Sequence, residues 1–276
     1  MGCHCSAFSA RNNGRLKLTN EQSTVATVPS LFIPAAPPTP PSRAASLEAP
    51  SISMETLTNI STSASFWLLL VPFAVYVGLF NALSSLLNQI LFPYGFSETA
   101  AGLTGAILIL VGLVTSAVTS PLLDRNPRWC LPALRVLVPI IAIGYLAFVW
   151  APQTREVAAP YAISAVLGAA SFSLVPLALE LLVEVTWPVS PEVGSSICWA
   201  GGQLLGGVFI VIMDALAGAW EDQPSQNMKA ALVFQAVLAM VIAPVPLFLG
   251  FFGTGVRGRE EAAKRAAAME LSLIHI

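Results

Sequence analysis

The residues of this 276-residue chain that could do chemistry are polar side chains set inside long apolar runs. Asn81, Ser84, Ser85, Asn88 and Gln89 recur at spacings of three and four, which on a helix gathers them into one polar stripe opposite Leu, Ile and Phe. Ser196, Trp199, Gln203 and Gly207 share a second helical face, while Gly201, Gly202 and Gly206 let a neighbouring backbone come close. Polar groups are expensive in hydrocarbon, so such stripes must face other helices or a water-filled path. They either hydrogen-bond between helices or touch a solute. Trp199 one turn from Gln203 offers a π face beside an amide, a pair suited to an organic cation. A packing Trp and a helix-bridging Gln would account for the same residues.

Charged residues collect between the apolar runs. Asp124-Arg125-Asn126-Pro127-Arg128 closes the second run, and Glu180 and Glu184 stand one turn apart at the end of the fourth. Carboxylates at i and i+4 repel unless one is protonated or both find cations, and Arg125 and Arg128 are the nearest by topology. The five form either a cytosolic gate that breaks on opening or a static topology anchor. Cys3-His4-Cys5 lacks the roughly four ligands of a closed metal site, so no metal is expected. With no Gly-rich phosphate loop, HExxH or GxSxG, and with His4 and His275 both in the tails, an enzyme is not expected either, nor a cofactor.

The elements that position these residues follow from composition. Charged residues are 10% of the chain against about 25% in soluble domains, and the mean hydropathy is +0.74. That excludes a disordered chain, a nucleic-acid binder and an ordinary cytosolic enzyme. A bilayer core of about 30 Å needs about 20 apolar residues per helix, and six segments qualify: 66–92, 99–120, 130–150, 158–183, 195–217 and 230–252. Period-two alternation is absent and backbone groups in lipid must be satisfied locally, so the segments are helices. Prolines fall inside four of them, at Pro72, Pro139, Pro176, and Pro244 with Pro246. The expected fold is an all-α, multi-pass membrane protein with the lipid bilayer as its first partner. Residues 1–65, rich in Pro and Ser, read as a cytosolic linker, 66–252 as the transmembrane domain and 253–276 as a cytosolic tail.

Placing the first helix start in the cytosol leaves only Arg155 and Lys229, of 13 basic residues, outside. Both termini are then cytosolic, and the sequon Asn59-Ile60-Ser61 is expected to stay unmodified. Met1-Gly2-Cys3 fits an N-myristoylation pattern, one that a misplaced start codon produces equally well.

Glu184-Val185-Thr186-Trp187-Pro188, with Glu192, Ser195, Ser196 and then Gln203 nineteen residues after Glu184, resembles the helix 10–11 junction of one family. That family is the major facilitator superfamily transporters related to the feline leukaemia virus subgroup C receptor. Phe80-Asn81-Ala82-Leu83-Ser84-Ser85-Leu86-Leu87-Asn88-Gln89 is similar to its seventh helix, and the Asp124-Arg125 turn resembles the superfamily's loop between helices 8 and 9. The resemblance implies that the six helices are helices 7–12, the C-terminal half of a twelve-helix secondary transporter. It implies a choline-, ethanolamine- or haem-like solute bound between the halves, with Gln203 as a substrate contact. Asn81 stands where choline-binding members have a Tyr, which weakens the cation cage unless Trp199 compensates. The expected partners are a small-molecule substrate and a missing N-terminal six-helix half or partner bundle. A truncated gene is expected, with Leu271-Ser272-Leu273-Ile274-His275-Ile276 as an adapter-derived artefact. Plasma membrane and vacuolar or lysosomal membrane stay equally open. The rival reading is a non-transporting six-helix membrane subunit or regulator.

Overall fold

A computed structural model describes residues 62–125, 129–186, 191–219 and 227–248. Six α-helices account for most of them: α1 (Ala64–Leu91), α2 (Glu98–Arg125), α3 (Cys130–Phe148), α4 (Ala158–Thr186), α5 (Pro191–Ala215) and α6 (Lys229–Ile242). Among the described residues there is no strand. Six helical segments, the shortest of 19 residues, are long and apolar enough to cross a bilayer. The expectation of an all-α membrane fold holds.

Local signals set the helix ends. A 3-10 turn over Phe92–Tyr94 follows α1 and closes on Gly95, whose φ of 89° suits a residue without a Cβ. Ser97 Oγ accepts from Ala100 N–H at 3.2 Å and so caps α2. α5 opens on Pro191, whose missing N–H needs no partner in the first turn, with Glu192 beside the positive end of the helix dipole.

Three ends differ from the sequence reading. α2 runs on through Pro121 to Arg125, with the proline ring on an exposed face. α4 extends to Thr186, whose hydroxyl donates to the Leu182 carbonyl at 2.8 Å. α6 is shorter than expected: Pro244 falls after its last turn and Pro246 lies in a separate 3-10 turn, Val245–Phe248, so neither is inside an α-helix. A second proline two residues on cannot extend a helix whose carbonyls the first has left unpaired.

Two helix pairs form the tightest contacts, α1 with α5 and α2 with α4. Glycine makes both close. A Cβ on Gly202 would lie 2.7 Å from Val77 Cγ1, one on Gly206 3.1 Å from Asn81 Cβ, and one on Gly78 3.0 Å from the Gly206 nitrogen. In the other pair a Cβ on Gly168 would run into the Leu108 carbonyl, and one on Gly112 would lie 2.5 Å from Phe172. Without a hydrophobic drive between helices in lipid, such close van der Waals contact holds them together.

α3 and α6 brace α1 and α4 from behind. Two reciprocal bonds tie α1 to α6: Tyr76 Oη donates to the Ala239 carbonyl at 3.0 Å, and Gln235 Nε2 donates to the Leu79 carbonyl at 2.7 Å. On α1 the apolar side, Leu79, Leu83, Leu86, Leu87 and Ile90, is buried in the bundle, while Ser85, Asn88 and Gln89 are exposed. That end of the polar stripe therefore faces away from the six helices, while Asn81 and Ser84 are half-buried. On α5 the face carrying Ser196, Trp199, Gln203 and Gly207 is exposed as well.

Candidate functional site

A cavity of about 390 Å³ opens among α1, α3, α4 and α5. Three prolines line it: Pro72 inside α1, Pro176 inside α4 and Pro246 in the 3-10 turn past α6. A proline ring pushes against the preceding turn and removes one backbone bond, bending the helix away from ideal packing.

Aromatic rings frame the cavity. Phe73 meets Trp199 edge to face, with centroids 5.6 Å apart at 90°, and Phe80 meets Phe172 at 5.5 Å and 74°. Phe73 and Phe80 are two turns apart on α1, so the same helix face holds both pairs. Tyr76 lies between them, oriented by its bond to Ala239. The polar contribution is small and placed at the rim: Asn81, Ser116 and Ser171.

Asn81 reaches across to α5, where its Nδ2 donates to Gln203 Oε1 at 3.1 Å. The close approach at Gly206 makes this contact, since Asn81 lies directly over the missing Cβ. Of the residues expected at a substrate site, the structure thus joins Asn81, Trp199 and Gln203. Asn81 and Trp199 line the cavity, and Gln203 is attached through Asn81. Asn88, Gln89 and Ser196 are exposed on the same outward faces but do not line it.

For the charged cluster, Arg125 and Glu180 are both exposed at the same end of the bundle. The side chains of Asp124 and Glu184, together with Arg128, lie outside the described residues. Asn59, Cys3, Cys5 and both tails lie outside them too. Among the described residues no group of three His, Cys, Asp or Glu could hold a metal ion.

Sequence reasoning missed the ring pairs Phe73, Phe80 and Phe172, and the wall that α3 provides. The one signal that could have found them is the proline positions, since Pro72, Pro176 and Pro246 line the same space.

Comparison with known proteins bears on this arrangement of paired helices around a proline-lined space. The profile of the Major Facilitator Superfamily matches residues 23–191. The chain belongs to the Major Facilitator Superfamily. It is 25% identical over 242 residues to solute carrier family 49 member A3 of Danio rerio, covering 86% of this chain and 51% of that protein. It is 29% identical over 197 residues to the choline/ethanolamine transporter FLVCR1 of Mus terricolor, covering 69% of this chain and 35% of the relative. The human choline/ethanolamine transporter FLVCR2 is 24% identical over 194 residues, 68% of this chain and 37% of that protein. This facilitator chain spans about half, or less, of the length of these curated relatives. As a superfamily member with six apolar helices it is an integral, multi-pass membrane protein.

Proposed function

We propose that the protein carries a small ammonium solute, choline or ethanolamine, across a membrane by alternating access to the cavity between α1, α4 and α5. One observation carries the reading: the Asn81–Gln203 amide pair stands beside Trp199 at the rim of an aromatic-lined cavity. Ring faces attract a cation without hydrogen bonds, and desolvation strengthens the attraction to about 2 kcal/mol or more. The amides then serve the alcohol of the solute. Two FLVCR relatives named as choline/ethanolamine transporters support the solute class.

The exposed faces of α1 and α5 imply a second wall. Asn88, Gln89, Ser196 and Gln203 are polar, membrane-level and uncovered by the six helices, which suits a facing six-helix bundle and a water-filled path between. The longer relatives support that bundle as the other half of a facilitator. Asp124, Arg125, Arg128, Glu180 and Glu184 then form the gate at the cytosolic end.

The test is uptake of radiolabelled choline and ethanolamine by cells making the protein as its gene encodes it. Gln203→Ala is expected to lower uptake at least about tenfold with surface expression intact. Normal uptake by that variant refutes the site.

A further inference from the structure

Two carboxylates flank Gln203 on α5, Glu192 before it and Asp214 after it, each eleven residues away. Eleven residues make three helical turns, so both return to the face that carries Gln203, and both are exposed there. They differ in where the helix puts them. Glu192 lies in the first turn, at the positive end of the helix dipole, where a carboxylate is favoured. Asp214 lies in the last turn, at the negative end, where a carboxylate adds to the charge already present and a cation is favoured. That turn holds no basic residue, and among the described residues no hydrogen bond or ion pair engages the Asp214 carboxylate. An acid kept at the unfavourable end of a helix breaks a local rule, as residues at functional sites do.

α1 brings amides to the same level. The two helices run parallel in register: Phe73 meets Trp199, Val77 lies over Gly202 and Asn81 over Gly206. Continued at the same rise per residue, that register sets Asn88 and Gln89 level with Asp214, and both are exposed. We propose that Asp214, with Asn88 and Gln89, is a capture station for the ammonium head at the outer end of the stripe. It selects cations over neutral solutes before they reach Trp199 and the Asn81–Gln203 amides. The positive-inside bias makes the Asp214 end of α5 the outer one. Choline spans four bonds of about 1.5 Å, about 6 Å end to end, whereas Gln203 and Asp214 lie about 16 Å apart along the helix axis. The two positions are therefore occupied in turn. The inference rests on the ammonium-transport reading above and adds where charge is selected.

The experiment measures initial uptake of radiolabelled choline, at low and at saturating concentration, in cells making the protein as its gene encodes it. Rates are normalised to surface protein. Asp214→Asn removes the charge and keeps the shape. It is expected to lower uptake at low choline about fivefold, the worth of one contact between unit charges in water, and to leave the saturated rate unchanged. Asp214→Glu is expected to keep most of the parent rate. Replacing salt with sucrose is expected to raise low-choline uptake by the parent, because exposed charges are then less screened, and Asp214→Asn is expected to lose that rise. The uncharged isostere with tert-butyl in place of trimethylammonium is expected to compete about fivefold better, relative to choline, in Asp214→Asn than in the parent. Unchanged low-choline uptake by Asp214→Asn, with uptake still dependent on Gln203, overturns the inference and leaves the transport reading standing. A fall in the saturated rate overturns it as well, since Asp214 then pairs with a cation of a facing bundle and takes no part in capture. Should Asp214→Asn fail to reach the surface, the salt dependence of the parent decides, and low-choline uptake indifferent to salt overturns the inference. No choline uptake by the parent overturns the transport reading and this inference with it.

Discussion

Asn81 on α1 donates its side-chain N–H to Gln203 Oε1 on α5 across 3.1 Å, at the point where Gly206 lets the two helices touch. The bond uses one hydrogen of Asn81 and one lone pair of Gln203. The side-chain oxygen of Asn81 and the NH2 of Gln203 are not used by that bond, which leaves one acceptor and one donor in fixed relation. A solute hydroxyl, itself donor and acceptor, fits such a pair, and no rotamer search is required when it arrives.

Truncating either amide should therefore affect transport through the same contact. Gln203→Ala is expected to lower the initial uptake rate at least about tenfold, the scale of one lost hydrogen bond to a charged or tightly held solute. Asn81→Ala is expected to act in the same direction and less strongly, because Gln203 keeps its donor. The double variant is expected to be no worse than Gln203→Ala alone, since partners in one contact are not additive. Initial uptake rates normalised to surface protein check all three; strict additivity sinks the shared-contact argument.

The glycines separate helix packing from function. At Gly168 any side chain meets the Leu108 backbone, which cannot give way as a flexible side chain can. Gly168→Ala is expected to lower stability by about 1–3 kcal/mol, the usual cost of overpacking. Gly207 lies on the exposed face of α5, where an added Cβ would meet no atom within 4 Å, so Gly207→Ala is expected to be neutral. Thermal melting of the detergent-solubilised variants compares them directly.

The α1–α6 ties carry a similar expectation. Tyr76→Phe removes the bond to Ala239 and Gln235→Leu the bond to Leu79, each interhelical bond being worth on average about 0.6 and at most about 1.7 kcal/mol in membrane proteins. Gln235 differs in one respect: its Oε1 is buried without a partner, so its replacement also removes a desolvated acceptor. Gln235→Leu is accordingly expected to destabilise less than Tyr76→Phe. Melting temperatures in the reverse order refute that reasoning.

How much of this is legible in the sequence depends on the kind of signal. Asn81 and Gln203 stand out because an amide in hydrocarbon must have a reason to be there, and Gly202 and Gly206 because their spacing places them on one ridge. Phe73, Phe80 and Phe172 do not, since an aromatic residue in a membrane helix is equally at home against lipid, a neighbour or a cavity. Gly168 is likewise silent: what makes it indispensable is the Leu108 carbonyl, on a different helix. The end of α6 departs from expectation because a proline can bend a membrane helix or stop it, and only its neighbours decide which.

Orientation in the bilayer gives the last prediction. Eleven of the 13 basic residues fall on one side of the proposed topology, the side that holds Arg125, while the 3-10 turn and loop around Glu156 lie on the other. The positive-inside bias places Arg125 in the cytosol and Glu156 outside. Both residues are exposed, and the native Cys130 and Cys198 are buried, so a single introduced thiol at either position reports its side of the membrane. With Cys3 and Cys5 replaced by Ser, Glu156→Cys is expected to react with a membrane-impermeant maleimide on intact cells. Arg125→Cys is expected to react only after permeabilisation, and Asn59 to carry no glycan. Labelling in the opposite pattern inverts the topology and moves the proposed Arg125–Glu180 gate to the outer face.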